Sequence, residues 1–264
     1  MPRTVLVDGD VLIYKAAEAS CEYFEVDTEE DEKYIYRTIQ RADKDTAQDY
    51  LIGSIEKIIN DTKSDRAVMC ISSSEGKFRK DLNPNYKSNR RKLKPVLWEF
   101  LRNCLKSNKD TWTLYEKPYL EADDVIGILA TSEKIIKGDK VVWSLDKDFK
   151  TIPCKFHKAK TDGSHESKKI TEEEADWNFM FQTLTGDTTD GYSGCKGIGK
   201  IKAKEILGDT GKNSCKKMWE LVKRQYQKAG LTEEDALMNA RMARILRKED
   251  YDFKKKEVIL WNMK

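Results

Sequence analysis

Four short apolar runs punctuate the first two thirds of this 264-residue chain, with helix-like stretches between them. The runs are Thr4-Val5-Leu6-Val7, Ala67 to Ile71, Trp112 to Tyr115 and Lys140 to Leu145. Ala47, Leu51, Ile55, Ile58 and Ile59 mark one helical face, and Val125, Ile126, Ile128 and Leu129 mark another. Buried strands alternating with helices predict an α/β layer with a mostly parallel central sheet flanked by helices over residues 1–172. Tyr34, Ile35 and Tyr36 face Tyr23, Phe24 and Val26 across an acidic turn, which predicts a hairpin outside that sheet. From about residue 173 the pattern becomes helical: Ala175 to Leu184, Ile201 to Leu207, Met218 to Tyr226 and Leu237 to Leu246. The closing "KEVILW" reads as an edge strand.

Composition narrows the class. Hydrophobic content of 39% with six Trp and eleven Tyr supports a core, while 36% charged residues make the surface ionic. No run approaches the ~20 apolar residues of a membrane span, and "MPRTVLVDGD" is no signal peptide, so a cytoplasmic protein is expected. Six scattered cysteines without a C-x-x-C pair, and only two histidines, argue for reduced thiols and against structural zinc. The net charge of +3 hides segregation: residues 22 to 32 hold acids and no base, whereas 77 to 94 hold one acid, Asp81, among many lysines and arginines. Further basic stretches run from Lys196 to Lys217 and from Arg241 to Lys256. Three such clusters favour a phosphate backbone as partner.

The stretch "GYSGCKGIGKIKAKEIL", residues 191 to 207, sharpens this. Gly194, Gly199 and Lys200 satisfy seven letters of the nucleotide-binding loop G-x-x-x-x-G-K-[ST], but position 201 is Ile. The preceding residues 185 to 191 are polar and turn-prone rather than an apolar strand. Nucleotide binding is therefore demoted. Glycines opening a lysine-bearing helix still suit an anion.

The acids fall at telling places. Asp8 ends the first predicted strand, and Asp146 and Asp148 follow the fourth in "VVWSLDKDF". Carboxyl ends of parallel strands form the functional crevice of such sheets. Glu121, Asp123 and Asp124 open the helix "EADDVIGILA", and Asp187 and Asp190 precede the glycine stretch. Acids also cap helices and fill turns, so each group alone carries little. Converging, they would raise one another's pKa unless cations intervened, and oxygen donors without His or Cys suit Mg²⁺ or Mn²⁺. Paired ions roughly 3.5–4 Å apart are a device for phosphodiester cleavage.

In order along the chain, "VDGD" at 7 to 10, "FRKDLNPNYKSNRR" at 78 to 91, "LEADDVIG" at 120 to 127, "SLDKDFKTIP" at 144 to 153, "GDTTDGYSG" at 186 to 194 and "GIGKIKA" at 197 to 203 resemble the flap-endonuclease superfamily of 5′-nucleases. "MARILR" and "YDF" extend the resemblance over almost the whole chain, and it is strongest to the 5′→3′ exonucleases of short-tailed bacteriophages. It implies a two-metal site built by Asp8, Glu121, Asp123, Asp124, Asp146, Asp148, Asp187 and Asp190. It also implies a helical arch near residues 77–107, in which Lys87 and Arg90 stabilise the scissile phosphate, Arg79 assists and Tyr86 stacks on an unpaired base. Residues 173–264 become a DNA-binding region whose glycine hairpin at 194–203 grips the duplex, with K⁺ between carbonyls and phosphate. Gly194, Gly197 and Gly199 admit the backbone, and Lys196, Lys200 and Lys202 add charge. One position departs: the family's aspartate after the second strand is replaced within Ser72-Ser73-Ser74-Glu75-Gly76, with Ser74 best aligned.

The expected activity is a divalent-metal-dependent 5′→3′ exonuclease on double-stranded DNA, with flap cleavage and RNA-primer removal. Its partners are DNA 5′ ends and flaps, RNA–DNA hybrids and replication proteins. A non-catalytic DNA-binding member of the same fold and a PIN-type ribonuclease are the alternatives. The retained Asp146, Asp148, Asp187 and Asp190 oppose the first, and the glycine stretch opposes the second.

Overall fold

The computed structural model describes residues 2–26, 36–90, 94–108, 111–160 and 162–263, with side chains 23–40 excepted. Along the chain run β1 (Arg3–Asp8), α1 (Gly9–Ala19), β2 (Cys21–Val26), β3 (Tyr36–Ala42), α2 (Lys44–Asp61), β4 (Arg66–Cys70), α3 (Phe78–Leu82), α4 (Trp98–Ser107), β5 (Thr113–Tyr115) and α5 (Ala122–Thr131). Then follow β6 (Asp139–Ser144), β7 (Cys154–Ala159), β8 (His165–Ile170), α6 (Glu172–Thr185), α7 (Lys200–Leu207), α8 (Cys215–Lys228), α9 (Glu233–Ala243), β9 (Tyr251–Asp252) and β10 (Glu257–Val258).

The main sheet has the order β5-β4-β1-β6-β7-β8. All its neighbours are parallel except the final pair, β7 and β8. β1 lies at its centre because Val5, Leu6 and Val7 are wholly buried and can only sit between two helical layers. α1, α2 and α4 cover one face through Leu12, Ile13, Leu51, Ile55 and Leu101. α5 covers the other through Val125, Ile126 and Leu129. Burying an aliphatic side chain contributes about 1.5–3 kcal/mol.

The C-terminal helices build a separate cluster around Phe179, Trp219, Val222, Tyr226 and Trp261. The chain then returns, and Ile245, Leu246 and Tyr251 join the core beneath α5. Gly127 of α5 permits that return, since an added Cβ would meet the Leu246 carbonyl oxygen at 2.3 Å.

Three expectations change. β7 and β8 were not foreseen. "KEVILW" does not edge the main sheet: Glu257 and Val258 pair with Asp252 and Tyr251 in a two-stranded sheet of their own. The last predicted helix ends at Ala243. The segment expected to arch contains five-residue α3, then turns, then α4, whose Leu101 and Leu105 are fully buried in the core. Residues 91–93 lie outside the described residues. The hairpin of β2 and β3 is antiparallel and outside the main sheet, as expected; Tyr34 and Ile35 lie outside the described residues.

Candidate functional site

Parallel strands place their carboxyl ends at one edge of the sheet, and the acids gather there in two unlike groups. The first stands at the start of α5. Glu121, Asp123 and Asp124 each offer a carboxylate oxygen within 4.8 Å of the others. Three like charges at that spacing need neutralising. Arg79, only 2% exposed, sends one nitrogen to Glu121 Oε2 at 3.0 Å and grips Asp124 with two bonds of 2.7 and 2.8 Å. Its remaining N–H groups donate to the Met242 and Arg244 carbonyls. Lys77 and Lys87 each reach Glu121 Oε1 at 2.7 Å, and the Tyr86 hydroxyl donates to Oε2 at 2.7 Å. Burial pushes the Glu121 carboxyl up, but Lys87, Arg79 and Lys77 outweigh it and hold Glu121 well below the usual range. Asp123 pairs with no base among the described residues. Burial, then Glu121 and Asp124, raise its pKa strongly.

The second group opens onto a cleft through Asp148 and Asp187 and makes no salt bridge among the described residues, although Asp8 is buried. Asp8 closes β1, and burial followed by Asp10 pushes it up to about 7, although Ser144 donates to it at 2.8 Å. Asp146 follows β6 and accepts the Asp148 N–H at 2.9 Å. Burial and then Asp146 raise Asp148 to about 6. Asp187 Oδ1 caps its own turn, accepting from Thr189 and Asp190 at 2.8 and 3.3 Å. Among the described residues no basic side chain lies within ion-pair distance of Asp8, Asp146, Asp148 or Asp187. From Asp148 and Asp187 a cleft of about 690 Å³ runs past Gln182 to Gly199, Lys200 and Lys204. It joins the acidic edge to the glycine stretch.

The loop at 84–90 closes the site from the other side. Lys87 holds a left-handed backbone (φ 54°), its N–H donates to the Asp190 carbonyl at 3.0 Å, and its amino group lies 3.7 Å from the Asp190 carboxylate. Burial disfavours its charge, yet Glu121, Asp123 and Asp190 win and raise its pKa. Arg90 pairs directly with Asp190. Lys87 and Arg90 thus border the carboxylates, and Asp190 joins the first group through them.

Several expected roles meet a different geometry. Tyr86 is 2% exposed and packed among Phe179, Met180 and Leu184, so its ring presents no face for stacking. Arg79 is sealed beneath the carboxylates and acts on them rather than on a ligand in the cleft. Gly194 is buried against Gly186, where a Cβ would meet backbone at 2.3 Å, and its N–H donates to Asn239. It closes a loop against the end of α6. Gly197 (φ 78°) and Gly199 are exposed, and a Cβ on either meets nothing within 4 Å. Lys196, Lys200 and Lys202 are exposed there, and the Lys202 amino group donates to the Gly197 carbonyl at 3.2 Å. The basic stretch from Arg241 turns partly inward: Arg244 pairs with Asp250 at 2.7 Å and Arg247 with Asp176 at 2.8 Å, both arginines buried. Ser74 and Glu75 are exposed, and neither belongs to the close trio of carboxylates. Sequence reasoning passed over Lys77, Ser144 and Gln182; only Lys77, in the basic stretch, carried a signal.

The donor set fits a hard divalent cation. Three carboxylates lie within ligand spacing, and among the described residues Asp123 has no cation in ion-pair contact and no His or Cys joins them. Residues 3–175 match the family described as 5′-3′ exonuclease, N-terminal resolvase-like domain. The chain is 35% identical to an exonuclease of Escherichia phage T7, over 97% of this chain and 92% of the relative. It is 33% identical to an exodeoxyribonuclease of Enterobacteria phage T3, over the same shares. Among solved structures, the phage T5 5′-exonuclease with zinc bound superposes with a TM-score of 0.64 at 14% identity, covering 91% of this chain and 89% of that one. A T5 flap endonuclease complexed with DNA and metal ions gives 0.61 at 14% identity, covering 92% and 89%.

Proposed function

The chain belongs to the 5′-3′ exonuclease family, and on that premise we propose that it hydrolyses double-stranded DNA from 5′ ends with Mg²⁺ as cofactor. The observation that carries this reading is the trio Glu121, Asp123 and Asp124, bordered by Lys87 and Arg90. Divalent ions, which these carboxylates would hold, would supply Lewis-acid activation of water and charge neutralisation at the phosphate. Mn²⁺ substitutes by the same donor preference. Glu121, Asp123, Asp124 and Asp190 would hold one ion, and Asp8, Asp146, Asp148 and Asp187 would hold the other.

The chain's own residues do the rest. Arg79 and Lys77 keep Glu121 ionised and oriented. Lys87 and Arg90, now resting on Glu121 and Asp190, turn to the scissile phosphate when it enters. Gly197 and Gly199 leave room that the protein itself does not use, which suits close approach of a duplex backbone with K⁺ at the carbonyls and Lys196, Lys200 and Lys202 around it. In this division residues 1–172 cut and 173–264 hold the duplex. Flap cleavage, removal of RNA from RNA–DNA hybrids, work beside replication proteins and a place in the cytoplasm belong to the same reading. Among the described residues no helix is long and apolar enough to cross a membrane.

The test uses a 5′-labelled duplex with Mg²⁺ and an EDTA control. Label released as short products with Mg²⁺ alone supports the reading. Degradation from the 3′ end, or cleavage that survives EDTA, overturns it.

A further inference from the structure

Asp10 lies in the first turn of α1, two residues beyond Asp8. One of its oxygens, Oδ2, accepts the Ser72 N–H at 3.2 Å. The other, Oδ1, is buried and has no hydrogen-bond partner. Arg102 comes only to 4.0 Å of Oδ1. That contact is an ion pair made by Nη1 without a hydrogen bond, while Nη2 donates to the Ser72 carbonyl at 2.8 Å and to Glu116 at 2.5 Å. A carboxylate oxygen closed off from water and given no donor costs free energy, and native folds keep such atoms mainly where something external satisfies them.

Ser72 ties this oxygen to the acidic edge. Its backbone N–H holds Asp10, and its hydroxyl accepts the Ala122 N–H at 3.0 Å, beside Glu121. On the other flank, Asp10 follows Asp8, the N-cap of α1, by two residues. Asp10 therefore stands between the two groups of carboxylates, at the end of β4. That is where the segment Ser72 to Gly76 supplies no aspartate, and where Ser74 and Glu75 face solvent.

We propose that Asp10 is a metal-binding carboxylate of this site, reaching from α1 to the end of β4 and making good the aspartate missing from residues 72–76. The proposal rests on the divalent-metal reading above. A purely structural role, anchoring the turn at Ser72, is the competing account. Asp10→Asn separates the two, because an amide oxygen still accepts the Ser72 N–H but carries no charge for a cation.

The experiment is Mn²⁺ binding to the DNA-free protein, followed by electron paramagnetic resonance, with Asp123→Asn as control. The proposal expects at least a tenfold weaker Mn²⁺ affinity in Asp10→Asn, with circular dichroism unchanged. It also expects Asp10→Asn combined with Ser72→Asp to recover affinity. Wild-type affinity in Asp10→Asn, with loss in Asp123→Asn, overturns the role of Asp10 and leaves the metal reading standing. No Mn²⁺ binding by wild type overturns the metal reading itself, and this proposal with it. If Asp10→Asn fails to fold, Ser72→Asp alone decides: tighter Mn²⁺ binding supports the assignment, and unchanged binding contradicts it.

Discussion

The two acidic groups use the same residue types and answer like-charge repulsion in opposite ways. At the start of α5, Arg79, Lys77 and Lys87 bring positive charge to Glu121, and Arg79 brings it to Asp124. At the ends of β1 and β6, Asp8, Asp146 and Asp148 have no protein cation in ion-pair contact among the described residues; Asp148 lines a cleft, and Asp8 is buried. Glu121 is consequently held ionised, whereas Asp8 and Asp148 are pushed up to about 7 and about 6. The first group is preorganised by the chain. The second has no such protein partner in ion-pair contact among the described residues.

The largest expected effect breaks the open group. Asp146→Asn with Asp148→Asn abolishes cleavage of a 5′-labelled duplex while duplex binding persists, since removing negative charge near phosphates does not weaken the complex. Cleavage within a few-fold of wild type would remove both residues from the chemistry.

Next comes the strut under the closed group. Arg79→Ala leaves Glu121 and Asp124 buried without their shared partner and lowers stability by about 3–5 kcal/mol in urea unfolding. A loss below about 1 kcal/mol would mean that Lys77 and Lys87 suffice to neutralise the group.

Lys87→Ala is expected to lower the single-turnover rate by ~10²-fold, the loss typical of one positioned charge donor. Weaker binding with an unchanged rate would make Lys87 a positioning contact only.

A smaller effect tests the open group's lack of counter-charge. The folded-state pKa of Asp8, about 7, lies above the ordinary 3.8. The folded state thus binds the proton more tightly than the unfolded state. Ionised Asp8 therefore weakens the metal-free fold above pH 7, and the cost is relieved as pH falls through 7 toward 4. Asp8→Asn should raise Tm at pH 8 in EDTA by roughly 2–4 °C, worth about 1 kcal/mol in a chain of this size, with no gain at pH 4. An equal rise at both values would point to packing instead of charge.

The sequence made one group more legible than the other. Strand ends are visible as the close of apolar runs, so Asp8, Asp146 and Asp148 could be placed from periodicity alone. β4 and β6 were equally plain, because Val68, Met69, Val142 and Trp143 are buried. β7 and β8 were hidden because they lie toward the sheet's edge, and β8, "HESKKI", is exposed at all but Ile170. Arg79, Lys77 and Lys87 sit in a stretch that reads as a solvated basic face. Their inward pairing depends on Glu121, more than thirty residues away, and no local pattern encodes it. Tyr86 misled for the same reason: its ring fills the helical cluster while its hydroxyl serves Glu121.

Thermal unfolding with and without Mg²⁺ tests most directly whether the two groups differ as described. An ion that binds the folded state stabilises it by mass action. Wild-type protein is predicted to gain Tm steadily with Mg²⁺. Asp146→Asn with Asp148→Asn should start from a higher Tm in EDTA, because repulsion has been removed, and should then gain less with Mg²⁺ than wild type does. A double variant that starts no higher and follows the wild-type Mg²⁺ curve would contradict the account.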